Sequence, residues 1–155
     1  MSYSYTEKKR IRKNFGTFAQ VMDLPNLIET QTNSYAEFLQ ADVAPDSRKK
    51  QGLEEVFQSL FPITSVSGNA ALEYVSYELG KNTYDVQECL IQGLSYSAPL
   101  RIKVKLVLFD RDSNFKEVKD IKEGEVFMGE VPLMTDDASF IINGTERVVV
   151  SQLHR

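Results

Sequence analysis

The side chains that could carry out covalent or metal chemistry are few and scattered. The chain has one histidine, His154, and one cysteine, Cys89, far apart in the sequence. Asp136 and Asp137 are adjacent, and neighbours along a strand point to opposite faces, so this pair favours a turn over a metal site. The sequence contains no CxxC pair, HExxH motif, GxSxG motif or glycine-rich phosphate loop. We therefore expect no catalytic and no metal-binding residues, and no self-contained enzyme.

Polar donors gather instead in the last thirty residues. Three apolar runs within residues 126–150 are separated by Thr135-Asp136-Asp137 and by Asn143-Gly144. Asn-Gly between β-branched runs predicts a two-residue hairpin, because a type I′ turn needs positive φ at both central positions. Beyond the third run the sequence is Ser151-Gln152-Leu153-His154-Arg155, a polar and basic end for which we expect truncation.

Helical spacing is confined to the first half of the chain. A first helix is expected over residues 25–40, with Asp23 as its cap and Pro25 in its first turn. Its apolar stripe recurs at three- and four-residue steps through Leu27, Ile28, Gln31, Tyr35, Phe38 and Leu39. After a linker at 41–51, a second helix is expected over 53–60. Its predicted apolar face consists of Leu53, Val56, Phe57 and Leu60. Phe61-Pro62 ends it, because the residue before proline avoids the α region.

Strand patterns dominate the rest. Residues 71–79 and 96–111 predict strands, and the second alternates apolar residues with Arg101, Lys103 and Lys105, as in a half-buried antiparallel strand. That basic row fits either a phosphate backbone or a solvated sheet face. Residues 85–91 predict a short helix stopped by Gly93, with Cys89 as a buried, inert thiol. Residues 115–125 predict a charged strand or hairpin bent at Gly124. The fold class is therefore α+β, with helices in the first half and antiparallel strands and hairpins in the second.

Composition indicates an ordinary globular protein. Of 155 residues, 42% are hydrophobic and 26% charged, and the net charge is −4, so the whole molecule is not a basic nucleic-acid binder. The charge is uneven, since residues 1–13 carry five basic groups and one acidic group, a net +4, which leaves −8 on the remainder. The sequence shows neither a secretory signal nor a run of ~18–20 apolar residues. We expect a soluble, cytoplasmic protein without a membrane partner.

Three regions are expected along the chain. Residues 1–24 form a basic N-terminal arm, which either binds nucleic acid or lies on an acidic surface. Residues 25–140 form the main domain. Residues 141–155 form a hairpin and strand that lead out of it.

Several stretches resemble one known family. The segments GEVPLMTD at 129–136 and FIINGTERVVVSQLHR at 140–155 closely resemble the N-terminal part of the β subunit of bacterial DNA-directed RNA polymerase. YSYTEKKRIRK at 3–13 is similar to the proteobacterial start of that subunit. LEYVSY at 72–77, DVQEC at 85–89 and YSAPLR at 96–101 also fit in order. The resemblance covers nearly the whole chain and is loosest at 41–51 and 110–116.

The resemblance implies a role within a large assembly. In the family this segment forms the first part of the protrusion domain, one wall of the DNA and RNA channel, and then continues towards the lobe and fork. The implied partners are the α, β′ and ω subunits, a σ factor, DNA and nascent RNA, at a cytoplasmic, nucleoid-associated location. The nucleotidyltransferase activity belongs to the assembly, whose Mg²⁺ is bound by the β′ subunit. This chain alone is expected to be inactive and to hold no cofactor.

The resemblance also attaches roles to residues near the end. Arg147, Val150 and Gln152 match positions lining the pocket of rifamycin-type inhibitors, and Arg155 matches an arginine that holds a non-template-strand base. Arg147, Gln152 and Arg155 are thus the implied nucleic-acid-binding residues. Simpler roles remain open, namely that Arg147 pairs with Glu146 or another acid and that Val150 is core. For Val148 we expect core.

A second function stays open beside the first. The chain could be a freestanding α+β interaction module whose basic arm binds nucleic acid weakly. An open reading frame continuing beyond Arg155 would favour the polymerase subunit, and a stop codon in an intact gene would favour the module.

Overall fold

The computed structural model describes residues 22, 25–110 and 117–155, which form an α+β fold as expected. The predicted arm at 1–24, apart from Met22, lies outside the described residues. In chain order the elements are α1 (Glu29–Leu39), a 3₁₀-helix (Pro45–Ser47), α2 (Leu53–Leu60), β1 (Ile63–Thr64), β2 (Ala70–Leu79), α3 (Val86–Gln92), β3 (Ser97–Phe109), β4 (Val118–Pro132), β5 (Ser139–Ile142) and β6 (Thr145–Val148). None of the described helices is long and apolar enough to cross a membrane.

The strands form one antiparallel sheet and one separate hairpin. The sheet has the order β1-β2-β3-β4, so each strand pairs with its neighbour in sequence. β5 pairs with β6 alone. The boundary that we expect between 25–140 and 141–155 stays a prediction.

β3 is one of the two inner strands of the sheet. Its first half alternates as the sequence predicts, whereas Val107, on the face predicted to be exposed, is buried. Leu100, Ile102 and Val104 are buried on one face, whereas Arg101 and Lys103 are exposed on the other. This alternation turns the apolar face of β3 towards Phe57 of α2.

The prediction of a bend at Gly124 is wrong. Gly124 lies inside the continuous strand β4, opposite Val104. The register breaks instead at two other places on β4. Met128 is the extra residue between the partners of Leu100 and Arg101, next to Gly129 with a φ of +132°, and Lys119 is the extra residue between the partners of Leu108 and Phe109. Long cross-strand pairing therefore overrides the local turn preference of Gly124, and the irregularities of β4 lie at the bulges at Met128 and Lys119.

The core lies between α2 and the sheet. The Phe57 ring stacks on Tyr74 with centroids 5.4 Å apart and lies 5.7 Å from Tyr77. The bounds of α2 are those expected, but part of its predicted apolar face is wrong, since Val56 is 48% and Leu60 60% exposed. The buried polar residues of the described chain include Glu54 on the same helix.

α1 begins later than the sequence predicts. It starts at Glu29, so Pro25 precedes the helix, and Asp23 lies outside the described residues. The backbone N–H of Ile28 donates to Oδ1 of Asn26 at 3.2 Å, and this short turn ends where the helix starts. Only the C-terminal end of α1 is buried, at Leu39.

α3 agrees with its local signals. Asp85 caps it, with its Oδ1 accepting from the Val86 N–H at 2.7 Å, and Glu88 completes a capping box. Gly93 ends it with a φ of +74°. Cys89 is 1% exposed, as expected, and burial raises the pKa of its thiol, with the charges of Glu88 and Asp85 adding to the shift.

Candidate functional site

The closing hairpin carries Arg147 and leads directly to Val150, Gln152 and Arg155, the candidate residues near the end of the chain. Asn143 has a φ of +51° and Gly144 of +75°, the backbone conformation that the Asn-Gly sequence predicts. β5 and β6 flank this turn in a tight antiparallel pair, from Ile142 opposite Thr145 to Ser139 opposite Val148.

Three hydrogen bonds fix the hairpin to the loop between α3 and β3. The Tyr96 N–H donates to the Ile141 carbonyl at 2.9 Å, and the Gly144 N–H donates to the Leu94 carbonyl at 2.8 Å. The Asn143 N–H donates to Oγ of Ser95 at 3.0 Å. Ile141 is 1% exposed, so an apolar anchor lies beside these polar contacts.

The turn is also fixed by close backbone contact. A Cβ added to Gly144 would lie 2.6 Å from the Cα of Gly93, the residue that ends α3. Both positions have positive φ, and the two glycines therefore let the turn and the helix end pack without side chains between them.

A polar cluster around the buried Ser139 closes the base of the hairpin. Oγ of Ser139, a residue 1% exposed, donates to Oε1 of Glu146 at 2.7 Å and lies 2.7 Å from Oγ1 of Thr135. Thr135 begins the predicted turn, in which the Ala138 N–H donates back to the Thr135 carbonyl. The turn at Asp136 and Asp137 is therefore confirmed. Among the described residues, no group of three His, Cys, Asp or Glu side chains could hold a metal ion.

The hairpin register separates Arg147 from Glu146. Arg147 lies opposite Phe140, and Glu146 lies opposite the buried Ile141, so the two side chains project from opposite faces. The Glu146 carboxylate is used by Ser139. Pairing of Arg147 with Glu146, one of the simpler roles considered above, is thus not what the structure shows.

Beyond Val148 the chain leaves regular secondary structure. Val148 is 60% exposed, so the expectation that it is core is wrong, and Val150 is 80% exposed. The reason is that no described strand covers the outer side of β6. A hydrogen bond ties this segment to the first helix, since Nε2 of Gln31 donates to the Val149 carbonyl at 2.9 Å.

The predicted site residues therefore lie on one exposed stretch of chain. Arg147, Val150, Gln152 and Arg155 are all exposed, within residues 147–155. The start of this stretch is held in place by the hydrogen bonds at Tyr96, Gly144 and Gln31. Sequence reasoning missed these anchors, because they join segments far apart in the chain and no local pattern marks them.

The second basic candidate, the row on β3, has a different electrostatic setting. Arg101 lies opposite Glu78 on β2, and Lys105 lies opposite both Glu73 on β2 and Glu123 on β4. Lys103 lies opposite Glu125 on β4. Three cations are thus flanked in register by four carboxylates, so the row is a balanced sheet face and a poor match for a phosphate backbone.

An open groove of about 900 Å³ lies beside the base of the closing hairpin, lined there by Tyr96 and Thr135. It runs between the C-terminal half of α1, residues 41–51 and the stretch before β5. Tyr35 lies in it, and its hydroxyl donates to the Pro132 carbonyl while its ring meets Phe140 edge-on at 5.0 Å. The groove thus borders the buried side of the hairpin.

Comparison with known families decides what the chain is. A family model described as RNA polymerase beta subunit matches residues 26–154. The chain belongs to the RNA polymerase β subunit family. The match covers the whole sheet, all three α-helices and the closing hairpin, so it applies to the fold described above and not to an isolated motif.

Membership of the β subunit family sets the broad function. The chain is a β-subunit domain of a DNA-directed RNA polymerase. The β subunit and other polymerase subunits form the nucleotidyltransferase assembly that carries out transcription.

Proposed function

We propose that this β-subunit domain forms one wall of the channel that holds DNA and nascent RNA in the polymerase. Its task there is to scaffold and to position nucleic acid. The observation that supports this proposal is the closing hairpin, whose turn is anchored at Leu94 and Tyr96 while residues 147–155 project from the body with exposed donors.

Arg147, Gln152 and Arg155 are the residues that we assign to nucleic acid. A guanidinium group presents a planar fork of donors that suits phosphate oxygens and base edges better than an ammonium group. A glutamine amide offers both a donor and an acceptor. We assign phosphate contacts to Arg147 and a non-template-strand base to Arg155, so that the segment positions the strands without reading a long sequence.

Arg147, Val150 and Gln152 also form part of the proposed pocket for rifamycin-type inhibitors. Val150 is 80% exposed, which leaves its side chain free to supply apolar contact to a ligand. Arg147 and Gln152 supply the polar contacts that orient a ligand. The other walls of this pocket come from outside the chain.

Catalysis belongs to the rest of the assembly. In this proposal Mg²⁺ is bound by the β′ subunit, this chain has no catalytic residue and no cofactor, and alone it is inactive. Its partners are the α, β′ and ω subunits, a σ factor, DNA and nascent RNA. The location is the bacterial cytoplasm, in association with the nucleoid.

The test is a polymerase reconstituted around the β subunit that carries these residues. Arg147→Ala and Arg155→Ala should each leave subunit assembly intact and shorten the lifetime of the open promoter complex. Arg101→Ala is the matched control, because that arginine lies on the charge-balanced sheet face. Equal lifetimes for all three variants and wild type would exclude the proposed channel contacts. Failure of the subunit to co-purify with α and β′ would exclude the polymerase role and favour a freestanding module.

A further inference from the structure

The open groove beside α1 is bounded by walls that hydrogen bonds hold in place. Oε1 of Gln40 accepts from the Lys49 N–H at 2.8 Å, and Nε2 of Gln40 donates to the Lys49 carbonyl at 2.9 Å. Because Gln40 is 5% exposed, its amide holds the loop 41–51 against the end of α1. On the opposite side, the Tyr35 hydroxyl donates to the Pro132 carbonyl and ties α1 to the stretch before β5. The shape of the groove is therefore set by contacts within the chain.

This groove has an apolar floor and an acidic rim. Leu39 is buried in its lining, and Leu133 is partly buried there. Three exposed carboxylates lie on the rim, those of Glu37, Asp42 and Asp136. Within the described part of the chain, none of the three has a hydrogen-bond or salt-bridge partner. The lining residues also include Lys49, so three negative groups and one positive group give the groove a net charge of −2.

The N-terminal end of the same chain carries the complementary chemistry. Residues 8–13 read KKRIRK, which places five cations around Ile11, and we call them the basic segment. Tyr5 precedes the basic segment and Phe15 follows it, so aromatic rings flank it in the sequence. Carboxylates on the rim attract the cations, and the apolar floor offers contact area to the isoleucine and the rings.

The connection to α1 is long enough to bring the basic segment to the groove. α1 has 11 residues, which is about 16 Å of helix, and it begins at Glu29. Residues 14–25 join the basic segment to the described chain, and fully extended they span about 40 Å. The basic segment can therefore reach every point of the groove along α1. A separate basic peptide would need a high concentration to compete, because attachment in one chain raises the effective concentration.

We propose that the open groove binds the basic segment of its own chain. The cations pair with the carboxylates of Glu37, Asp42 and Asp136, and Ile11 lies against the apolar floor. Each exposed ion pair is weak, so binding requires several pairs together and decreases with added salt. Cations held in the groove are withdrawn from phosphate groups, so the groove restrains nucleic-acid binding by the arm. This inference is independent of the channel contacts proposed for residues 147–155.

Crosslinking of the intact 155-residue chain locates the basic segment. A carbodiimide joins a lysine amine directly to a carboxylate without a spacer, so it reports only groups that touch. Mass spectrometry of the monomer fraction should show Lys8, Lys9 or Lys13 joined to Glu37, Asp42 or Asp136. High salt should remove these crosslinks. Crosslinks from these lysines only to carboxylates outside the groove would overturn the proposal, and so would the absence of crosslinks from them.

Trypsin cleavage tests whether the rim carboxylates protect the basic segment. At low salt, the variant Glu37→Gln/Asp42→Asn/Asp136→Asn should be cut within residues 8–13 about threefold or more faster than wild type.

A second variant controls for the change in net charge. Glu55→Gln/Asp120→Asn/Glu125→Gln removes three exposed carboxylates that do not line the groove, and it should be cut at the wild-type rate. Circular dichroism spectra identical to wild type check the fold of both variants. Equal cleavage rates for wild type and both variants would overturn the proposal. Equal acceleration in both variants would also overturn it, because protection would then come from overall charge and not from the groove.

Discussion

The hydroxyl of Tyr74 on β2 donates a hydrogen bond to Oε2 of Glu54 on α2 at 2.8 Å. This contact joins the helix to the sheet through a buried carboxylate. Nε2 of Gln58 donates to the other carboxylate oxygen, also at 2.8 Å. Glu54 is 6% exposed, so water has little access to its carboxylate. The two donors replace hydrogen bonds that water would otherwise supply.

Removing the Tyr74 hydroxyl should therefore destabilise the fold. Tyr74→Phe keeps the ring that stacks on Phe57 but leaves one oxygen of a buried carboxylate without its donor. The expected loss is about 2 kcal/mol of unfolding free energy, the usual cost for a hydrogen bond to a charged group. Urea denaturation at neutral pH measures it. Tyr84→Phe, at an exposed position, is the control and should stay close to wild type.

The same contact predicts how stability depends on alkaline pH. Burial raises the pKa of Tyr74 well above its usual value, and the hydrogen bond to Glu54 raises it further. The folded chain therefore holds this proton more tightly than the unfolded chain, whose tyrosines titrate near pH ~10. The stabilisation is complete below that pH and is lost as the pH rises above it.

In Tyr74→Phe the decline of unfolding free energy above pH ~10 should be shallower than in wild type. It should not vanish, because burial also raises the pKa values of Tyr35 and Tyr77. Urea midpoints measured at intervals from neutral to alkaline pH give the slope. If the unfolding free energy of the variant falls with pH as steeply as that of wild type, Tyr74 does not contribute to the alkaline transition.

Gly144, the glycine of the closing hairpin, should tolerate alanine poorly. Gly144→Ala combines a φ of +75° with a contact of 2.6 Å to the Gly93 backbone, so the turn and the end of α3 must separate. We expect a loss of about 1–3 kcal/mol in unfolding free energy.

Alanine substitutions at two other glycines show how much of the loss at Gly144 comes from backbone strain and how much from the contact with Gly93. Gly68→Ala shares the positive φ but has open space around its added methyl group, and Gly124→Ala has neither problem. Thermal unfolding should rank the losses in the order Gly144, Gly68, Gly124. Equal losses at Gly144 and Gly68 would mean that the contact with Gly93 is unimportant.

The residues assigned to the channel should matter for function and not for stability. Arg147, Gln152 and Arg155 are exposed, so alanine at each should change the unfolding free energy by less than ~0.5 kcal/mol. In the reconstituted polymerase, Gln152→Ala should reduce inhibition by a rifamycin-type compound at a concentration that half-inhibits wild type. A variant that unfolds early but transcribes normally would show a structural role instead.

The isolated chain should bind DNA weakly, with a shallow dependence on salt. Its net charge is −4, and the row at Arg101, Lys103 and Lys105 is flanked by carboxylates. Replacing these three cations with glutamine should leave DNA binding unchanged, whereas deleting residues 1–13 should remove most of the DNA binding. Fluorescence anisotropy with a labelled duplex at low salt measures both. Tight and steeply salt-dependent binding would contradict the expectation.

The features that the sequence predicts correctly depend on neighbours a few residues apart. Asp85 and Gly93 delimit α3, and Asn143-Gly144 fixes the hairpin turn, because caps and turns are local chemistry. The errors at Gly124 and Val148 have the opposite origin. Whether a glycine bends a strand, or a valine is covered, depends on which strand lies alongside, and periodicity alone contains no such information.

Two backbone amides at the base of the closing hairpin can report whether the hairpin stays attached to the body. The amide protons of Tyr96 and Gly144 are held by the Ile141 and Leu94 carbonyls, at the junction between the projecting segment and the body. They exchange with solvent only when that junction opens. When residues 147–155 hold a nucleic acid or an inhibitor, the junction should open less often. Deuterium uptake at these two amides should then be slower, which reports binding at a distance from the bound ligand.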